Sequence, residues 1–178
     1  MLEDISKVLF TEEEIKARVT ELGKQISEDF KGEDIVVIGL LKGCFIFIAD
    51  LMRAIDANVA VDFMLVSSYG AGVVSSGEIK VRKDYSIDIE GKNVLVIDDI
   101  LDTGRTLAFV KDYLLVKSPK NIKLCTLLDK PERRTSKVTV DYVGFSVPDE
   151  FVVGYGLDFD EKYRNLPFIG VLRPEAYK

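Results

Sequence analysis

The sequence predicts an α/β fold with a mainly parallel central sheet flanked by helices, and three observations predict it. Three short runs, DIVVIGLL at 34–41, NVLVIDD at 93–99 and NIKLCTLLDK at 121–130, are almost continuously apolar and rich in β-branched residues, as strands covered on both faces must be. Helical patterns, KGCFIFIADLMRAI at 42–55 and LAFVKDYLLVKS at 107–118, alternate with them, and strand–helix–strand alternation reads as parallel pairing. The length of 178 residues, 47% hydrophobic and 30% charged, suits one soluble domain whose core stands without covalent staples. The expectation is a single domain over 1–178, with its core at 10–130 and a small hood formed by 1–9 and 131–178.

The remaining elements follow in order. Thr11 and Glu14 form a capping box, with Phe10 and Ile15 spaced as a hydrophobic staple. Ile15, Val19, Leu22, Ile26 and Phe30 then make an apolar stripe at helical spacing, ended by Lys31-Gly32. VAVDFMLVSSY at 59–69 reads as a strand, GAGVVSSG at 70–77 as a mobile loop, and EIKVRKDYSI at 78–87 as a further strand. The polar turn EGKN leads into NVLVIDD. Beyond Pro131 the pattern loosens into short strands at VDYVGF, EFVVGYG and PFIGVLR, an antiparallel or irregular appendage on the same core.

Composition excludes several chemistries. There is no histidine, which rules out Ser-His-Asp and Cys-His nucleophiles, HExxH zinc sites and Cys2His2 fingers. A general base must be a carboxylate, Lys, Tyr or Cys. The two cysteines, Cys44 and Cys125, sit among apolar residues without CxxC spacing and read as small buried hydrophobes. The net charge of −6 disfavours broad nucleic-acid binding. No apolar run reaches membrane-helix length, and MLEDISKVLF lacks the pattern of a signal peptide, so a cytoplasmic location is expected, with no membrane partner.

The stretch VLVIDDILDTGRT at 94–106 carries the chemistry. Asp98 and Asp99 stand at the end of an apolar strand, where adjacent carboxylates are costly to bury and repel each other. Gly104 to Thr106 open a helix whose N–H groups and dipole favour an anion, and Thr103 and Thr106 add hydroxyl donors. Ligands of open α/β sheets bind where strands end and helices begin. A sugar phosphate suits this turn: phosphate in the loop, ribose hydroxyls donating to the acids, and a divalent metal nearby. A P-loop ATPase is disfavoured because GLLKG at 39–43 has the wrong spacing. A response-regulator receiver carries its phosphate acceptor on a separate, later strand.

The string closely resembles the ribose-phosphate motif of type I phosphoribosyltransferases. LLKGCFIF at 40–47, SSYG at 67–70, LLDKPERR at 127–134 and DEFVVGYGLDFDEKYRNLP at 149–167 are similar, in order, to bacterial hypoxanthine-guanine phosphoribosyltransferases. The resemblance implies the type I phosphoribosyltransferase fold with a C-terminal hood and a flexible active-site loop. It implies purine salvage: transfer of ribosyl 5-phosphate from 5-phosphoribosyl pyrophosphate to a 6-oxopurine, hypoxanthine or guanine, giving IMP or GMP and pyrophosphate, with Mg2+. It also implies a homodimer or homotetramer.

The same resemblance assigns roles by position. Asp98 and Asp99 match the acids that hold the ribose hydroxyls and stay close to metal, the first often Glu in relatives. Asp102 matches the proposed general base. Thr103, Gly104, Arg105 and Thr106 match the 5′-phosphate loop; Arg105, uncharged in many relatives, either adds charge at the phosphate or points to solvent. Lys42 and Gly43 match the pyrophosphate loop, which tends to carry a non-proline cis peptide, here between Leu41 and Lys42. Arg164 matches a pyrophosphate contact and Asp158 a metal ligand. Lys130 matches the donor to the purine's exocyclic oxygen, Phe151 the stacking aromatic, and Val152 the backbone that reads the ring edge. Ser68 and Tyr69 match the tip of a closing loop. A transcriptional regulator on the same fold is the main rival, but it needs a basic face and often an added domain. A transferase for xanthine, adenine or a pyrimidine is the second, and Lys130 with Phe151 argues for a 6-oxopurine.

Overall fold

In the computed structural model, which describes residues 2–68 and 79–177, a six-stranded sheet has the order β4-β3-β2-β5-β6-β7. Its strands are β2 (Ile35–Leu41), β3 (Val59–Ser68), β4 (Ile79–Lys83), β5 (Asn93–Leu101), β6 (Asn121–Asp129) and β7 (Tyr142–Ser146). All neighbours pair in parallel except β3 with β4, which is antiparallel. The central strands alternate their side chains between two apolar layers. Ile35, Val37, Leu95 and Ile97 pack with Ile15, Val19, Leu22 and Ile26 of α1 (Glu12–Asp29) and with Phe47, Ile48 and Leu51 of α2 (Phe45–Ala54). Val36, Ile38, Leu40, Val94 and Val96 pack on the other face with Leu107, Val110 and Leu114 of α3 (Arg105–Leu115). Burial on both faces is why these strands read as unbroken apolar runs rather than alternating ones.

The capping box at Thr11 is formed in full: Glu14 N–H donates to Thr11 Oγ1 at 3.2 Å, and Thr11 N–H donates to Glu14 Oε2 at 2.8 Å. Phe10, expected to staple the same helix, stacks on Phe145 with centroids 4.0 Å apart. A second, antiparallel sheet of order β1-β9-β8 joins β1 (Ile5–Phe10), β9 (Ile169–Leu172) and β8 (Val152–Val153), bringing the two ends of the chain together.

Two sequence expectations change here. VDYVGF was expected in the appendage, yet β7 is the edge strand of the main sheet, parallel to β6. Tyr142 is buried and donates its hydroxyl to Asp29 Oδ2 at 2.6 Å, while Arg18 of α1 donates to the β7 carbonyls of Val143 and Gly144 at 2.7 and 2.8 Å. Contacts from a helix more than a hundred residues away therefore seat this short strand. β5 also runs past the acid pair to Leu101, because its ladder with β6 continues through Ile100↔Leu128 and Leu101↔Asp129. Ser68 ends β3, and Tyr69 with residues 70–77 lies outside the described residues. Among the described residues, no helix is long and apolar enough to cross a membrane.

Candidate active site

The carboxyl ends of β2 and β5 open onto a cavity of about 610 Å³. Lys42, Gly43, Asp98, Asp99, Asp102, Thr103, Arg105, Thr106, Asp158 and Arg164, all expected at the site, line it. A smaller cavity of about 240 Å³ adjoins it, sharing Asp99, Ile100 and Asp158, and is completed by Lys130, Phe151, Val152 and Leu157. A further cavity of about 680 Å³ between α1, α2 and residues 165–167 contains none of the expected site residues.

The acid pair sits deep. Asp98 is only 9% exposed, and burial, reinforced by the neighbouring Asp99 carboxylate, pushes its carboxyl well above the usual range. Burial raises Asp99 too, against hydrogen bonds and the Arg164 charge, which lower it. Asp99 N–H donates to Asp98 Oδ1 at 3.0 Å, and Ile100 N–H donates to Asp99 Oδ1 at 2.9 Å. Gly43 is required beside this pair, since a Cβ there would lie 1.6 Å from Asp99 Oδ2. The Leu41–Lys42 peptide that leads into Gly43 is cis.

The turn between β5 and α3 is held from outside. Gly104, the N-cap of α3, takes φ +81°, a left-handed conformation open to glycine at little cost. It brings no capping side chain of its own, and Arg105 N–H donates to Thr103 Oγ1 at 3.4 Å, so this turn presents a hydroxyl and helix N–H groups where an anion can be met. Thr103 C=O accepts from Thr135 N–H and Ser136 N–H, each at 3.0 Å, and Asp102 C=O accepts from Arg134 Nε at 3.2 Å. Arg105 is exposed at the cavity's edge. Asp102 Oδ1 pairs with Arg133 Nε at 2.7 Å, and Arg133 Nη1 reaches Asp149 Oδ1 at 3.3 Å.

In the smaller cavity Lys130 is 9% exposed and donates from Nζ to Glu150 C=O at 2.7 Å. Its ammonium thus lies beside the segment carrying Phe151 and Val152. Phe151 is 38% exposed and stacks on Tyr177, centroids 4.9 Å apart and planes at 23°. Across the larger cavity Arg164 Nη2 pairs with Asp158 Oδ1 at 3.0 Å and Glu161 Oε2 at 3.1 Å, and Lys42 Nζ pairs with Glu161 Oε1 at 2.8 Å.

The donor set for a divalent metal is all oxygen, from Asp98, Asp99 and Asp158 on one cavity. No cluster of three or more ligating side chains forms among the described residues. That combination fits Mg2+, which binds through one or two carboxylates and completes its shell with substrate oxygens and water.

Of the described residues expected at the site, all but Gly104 and Ser68, the latter at the end of β3, line these two adjoining cavities. Arg133, Arg134, Asp149 and Glu161 were not among the expected residues, although all four lie inside the quoted stretches LLDKPERR and DEFVVGYGLDFDEKYRNLP. No local pattern marks a surface charge for such a contact; only its partner across the fold does.

Comparison with known proteins identifies the family. The model of the phosphoribosyl transferase domain matches residues 7–160. The hypoxanthine-guanine phosphoribosyltransferase of Streptococcus thermophilus is 49% identical over 178 residues, covering 99% of each chain. The bifunctional protein TilS/HprT of Listeria monocytogenes is 51% identical over 177 residues, and the chain spans 27% of that protein's length. The crystal structure of a Staphylococcus aureus hypoxanthine phosphoribosyltransferase superposes with a TM-score of 0.96 at 48% identity, covering 100% of this chain and 97% of that one. An acid-lined strand end meeting a helix N-terminus, beside a small aromatic pocket with a lysine donor, sits on a fold shared at about half identity. This chain therefore belongs to the phosphoribosyl transferase family.

Proposed function

We propose that this chain transfers the ribosyl 5-phosphate of 5-phosphoribosyl pyrophosphate to hypoxanthine or guanine, releasing pyrophosphate, in purine salvage. The observation that carries the reading is the pair of adjoining cavities sharing Asp99, Ile100 and Asp158. One is polar and anion-seeking; the other is small and carries the Lys130 donor.

In this reading the 5′-phosphate sits on the Thr103 to Thr106 turn and the α3 N-terminus. Asp98 and Asp99 accept hydrogen bonds from the ribose hydroxyls at the end of β5. The purine lies against Phe151, with Lys130 Nζ donating to its 6-oxo group. A cation that can only donate rejects the 6-amino group of adenine. Val152 presents its backbone to the ring edge. As the bond from C1′ to the pyrophosphate oxygen breaks, positive charge develops on the ribosyl ring, and the purine nitrogen then forms the new bond at C1′. Asp102 takes the proton released from the purine's imidazole ring, which requires its carboxylate to leave or share Arg133. Lys42 and Arg164 hold the departing pyrophosphate. Mg2+, held by Asp158 and Asp99 together with substrate oxygens, would neutralise charge on the leaving group. Most of the catalysis is positioning and charge stabilisation.

We place the protein in the cytoplasm, where its two buried free thiols, Cys44 and Cys125, stay reduced. The homodimer or homotetramer implied by the sequence resemblance belongs to this proposal, and sedimentation equilibrium tests it. The activity is tested by a spectrophotometric assay with 5-phosphoribosyl pyrophosphate, Mg2+ and, separately, hypoxanthine, guanine, xanthine and adenine. Turnover of hypoxanthine or guanine but not adenine is expected. Donor binding without nucleotide formed from any base would instead indicate a ligand-binding regulator.

A further inference from the structure

The two cations expected to receive pyrophosphate already share one anion. Glu161 Oε1 is 2.8 Å from Lys42 Nζ, and Glu161 Oε2 is 3.1 Å from Arg164 Nη2. One carboxylate thus spans two cations, one of which is 119 residues away in the chain, with a separate oxygen on each. Two oxygens of a single phosphoryl group would meet the same pair in the same way. Arg164 does not depend on Glu161 for its place: Nη1 donates to Gly156 C=O at 2.8 Å, and Nη2 also pairs with Asp158 at 3.0 Å. Among the described residues Lys42 Nζ pairs with Glu161 alone, and its side chain is 57% exposed.

The backbone at Glu161 supports a side-chain role. Its φ is +60°, in the left-handed region where glycine or asparagine is the easier choice. Asp158 Oδ2 accepts from Glu161 N–H at 2.9 Å and holds the turn in place. A glutamate kept at a disfavoured backbone position beside a binding cavity points to what its carboxylate does.

We propose that Glu161 is a built-in stand-in for pyrophosphate: its carboxylate bridges Lys42 and Arg164 and is displaced when a pyrophosphate group binds. This rests on the phosphoribosyl transfer reading above. The bridge keeps both cations aimed into the cavity without leaving their charges uncompensated. It also competes with free pyrophosphate, so it weakens product binding and favours release. The competition is modest, because Glu161 is 63% exposed and water screens both pairs. Its removal is expected to tighten pyrophosphate binding about two- to fivefold, equivalent to about 0.4–1 kcal/mol.

The test is titration calorimetry of magnesium pyrophosphate into the parent chain, Glu161→Gln, Lys42→Met and the double variant, with GMP measured alongside. Glu161→Gln should bind pyrophosphate two- to fivefold tighter, and the gain should shrink when Lys42 is already Met. GMP, which carries no pyrophosphate, should change less than twofold in Glu161→Gln. Unchanged or weaker pyrophosphate binding by Glu161→Gln, with GMP binding retained, would overturn the stand-in and make Glu161 a residue that orients Lys42 for the bound state. A parent chain that binds neither GMP nor pyrophosphate would instead overturn the transferase reading, and this proposal with it.

Discussion

Gly43→Ala adds one carbon to the site and alters no charge, which makes its consequence traceable. The new Cβ would stand 1.6 Å from Asp99 Oδ2 and 2.5 Å from Asp99 Cγ, distances at which atoms cannot coexist unbonded. If Asp99 moves, its Oδ1 gives up the 2.9 Å hydrogen bond from Ile100 N–H, which costs about 0.5–1.5 kcal/mol. Forcing its χ angles off a rotamer adds about 0.5–1.5 kcal/mol. Retreat of the 42–44 backbone is opposed on the other side, where residue 156 packs so closely that a Cβ on Gly156 would meet Gly43 C=O at 2.2 Å. The sum, about 1–3 kcal/mol, is the usual cost of one excess methyl in a packed region. For a chain of this size each kcal/mol lowers the melting temperature by about 2–4 °C. If Asp99 holds the ribose hydroxyls as proposed, the larger effect should fall on turnover, since moving such a carboxylate by about 1 Å costs on the order of 100-fold. Thermal denaturation and steady-state assays with hypoxanthine measure both. A variant with parental melting temperature and turnover would refute the claim that Asp99 has no room to yield.

Three further perturbations address the acids and the lysine. Asp98→Asn should stabilise the fold at pH 7: burial first, and Asp99 second, raise the Asp98 carboxyl, so the protonated form is the one the native state favours. The stability tied to that proton is complete below the unfolded value of about 3.9 and is lost as pH rises through the folded one. The gain in melting temperature from Asp98→Asn should accordingly fade toward pH 4 while turnover drops at every pH; equal gains at pH 7 and pH 4 would contradict this account. Asp102→Asn should keep GMP affinity within a few-fold and cut turnover about 10²–10⁴-fold, the range for loss of a general base, and undiminished turnover would remove Asp102 from that role. Lys130→Ala should raise KM for hypoxanthine roughly 10- to 150-fold, as loss of a charged hydrogen bond of about 1.5–3 kcal/mol implies, while KM for the ribosyl donor changes little. Equal loss for both substrates would show instead that Lys130 serves mainly to anchor Glu150 C=O.

By itself the sequence determined whatever rests on neighbours in the chain. The Thr11 to Glu14 cap forms as spaced, because its donors and acceptors lie within one helical turn. The buried strands at 35–41, 93–101 and 121–129 were legible because burial on both faces leaves an unbroken apolar run. The anion-seeking turn was legible because the acid pair, Gly104 and the start of α3 are contiguous. Tertiary structure alone decided the rest. A five-residue strand such as β7 carries no record of its partner; Arg18 and Asp29 of α1 supply the contacts that seat it in the main sheet. β5 reads as ending at its acids, yet pairing with β6 carries it two residues further. Arg133 on Asp102 and Glu161 on Lys42 are ion pairs between half-exposed side chains far apart in the chain. Charge on a surface residue has no period and no apolar signature, so only the folded chain shows which opposite charge it meets.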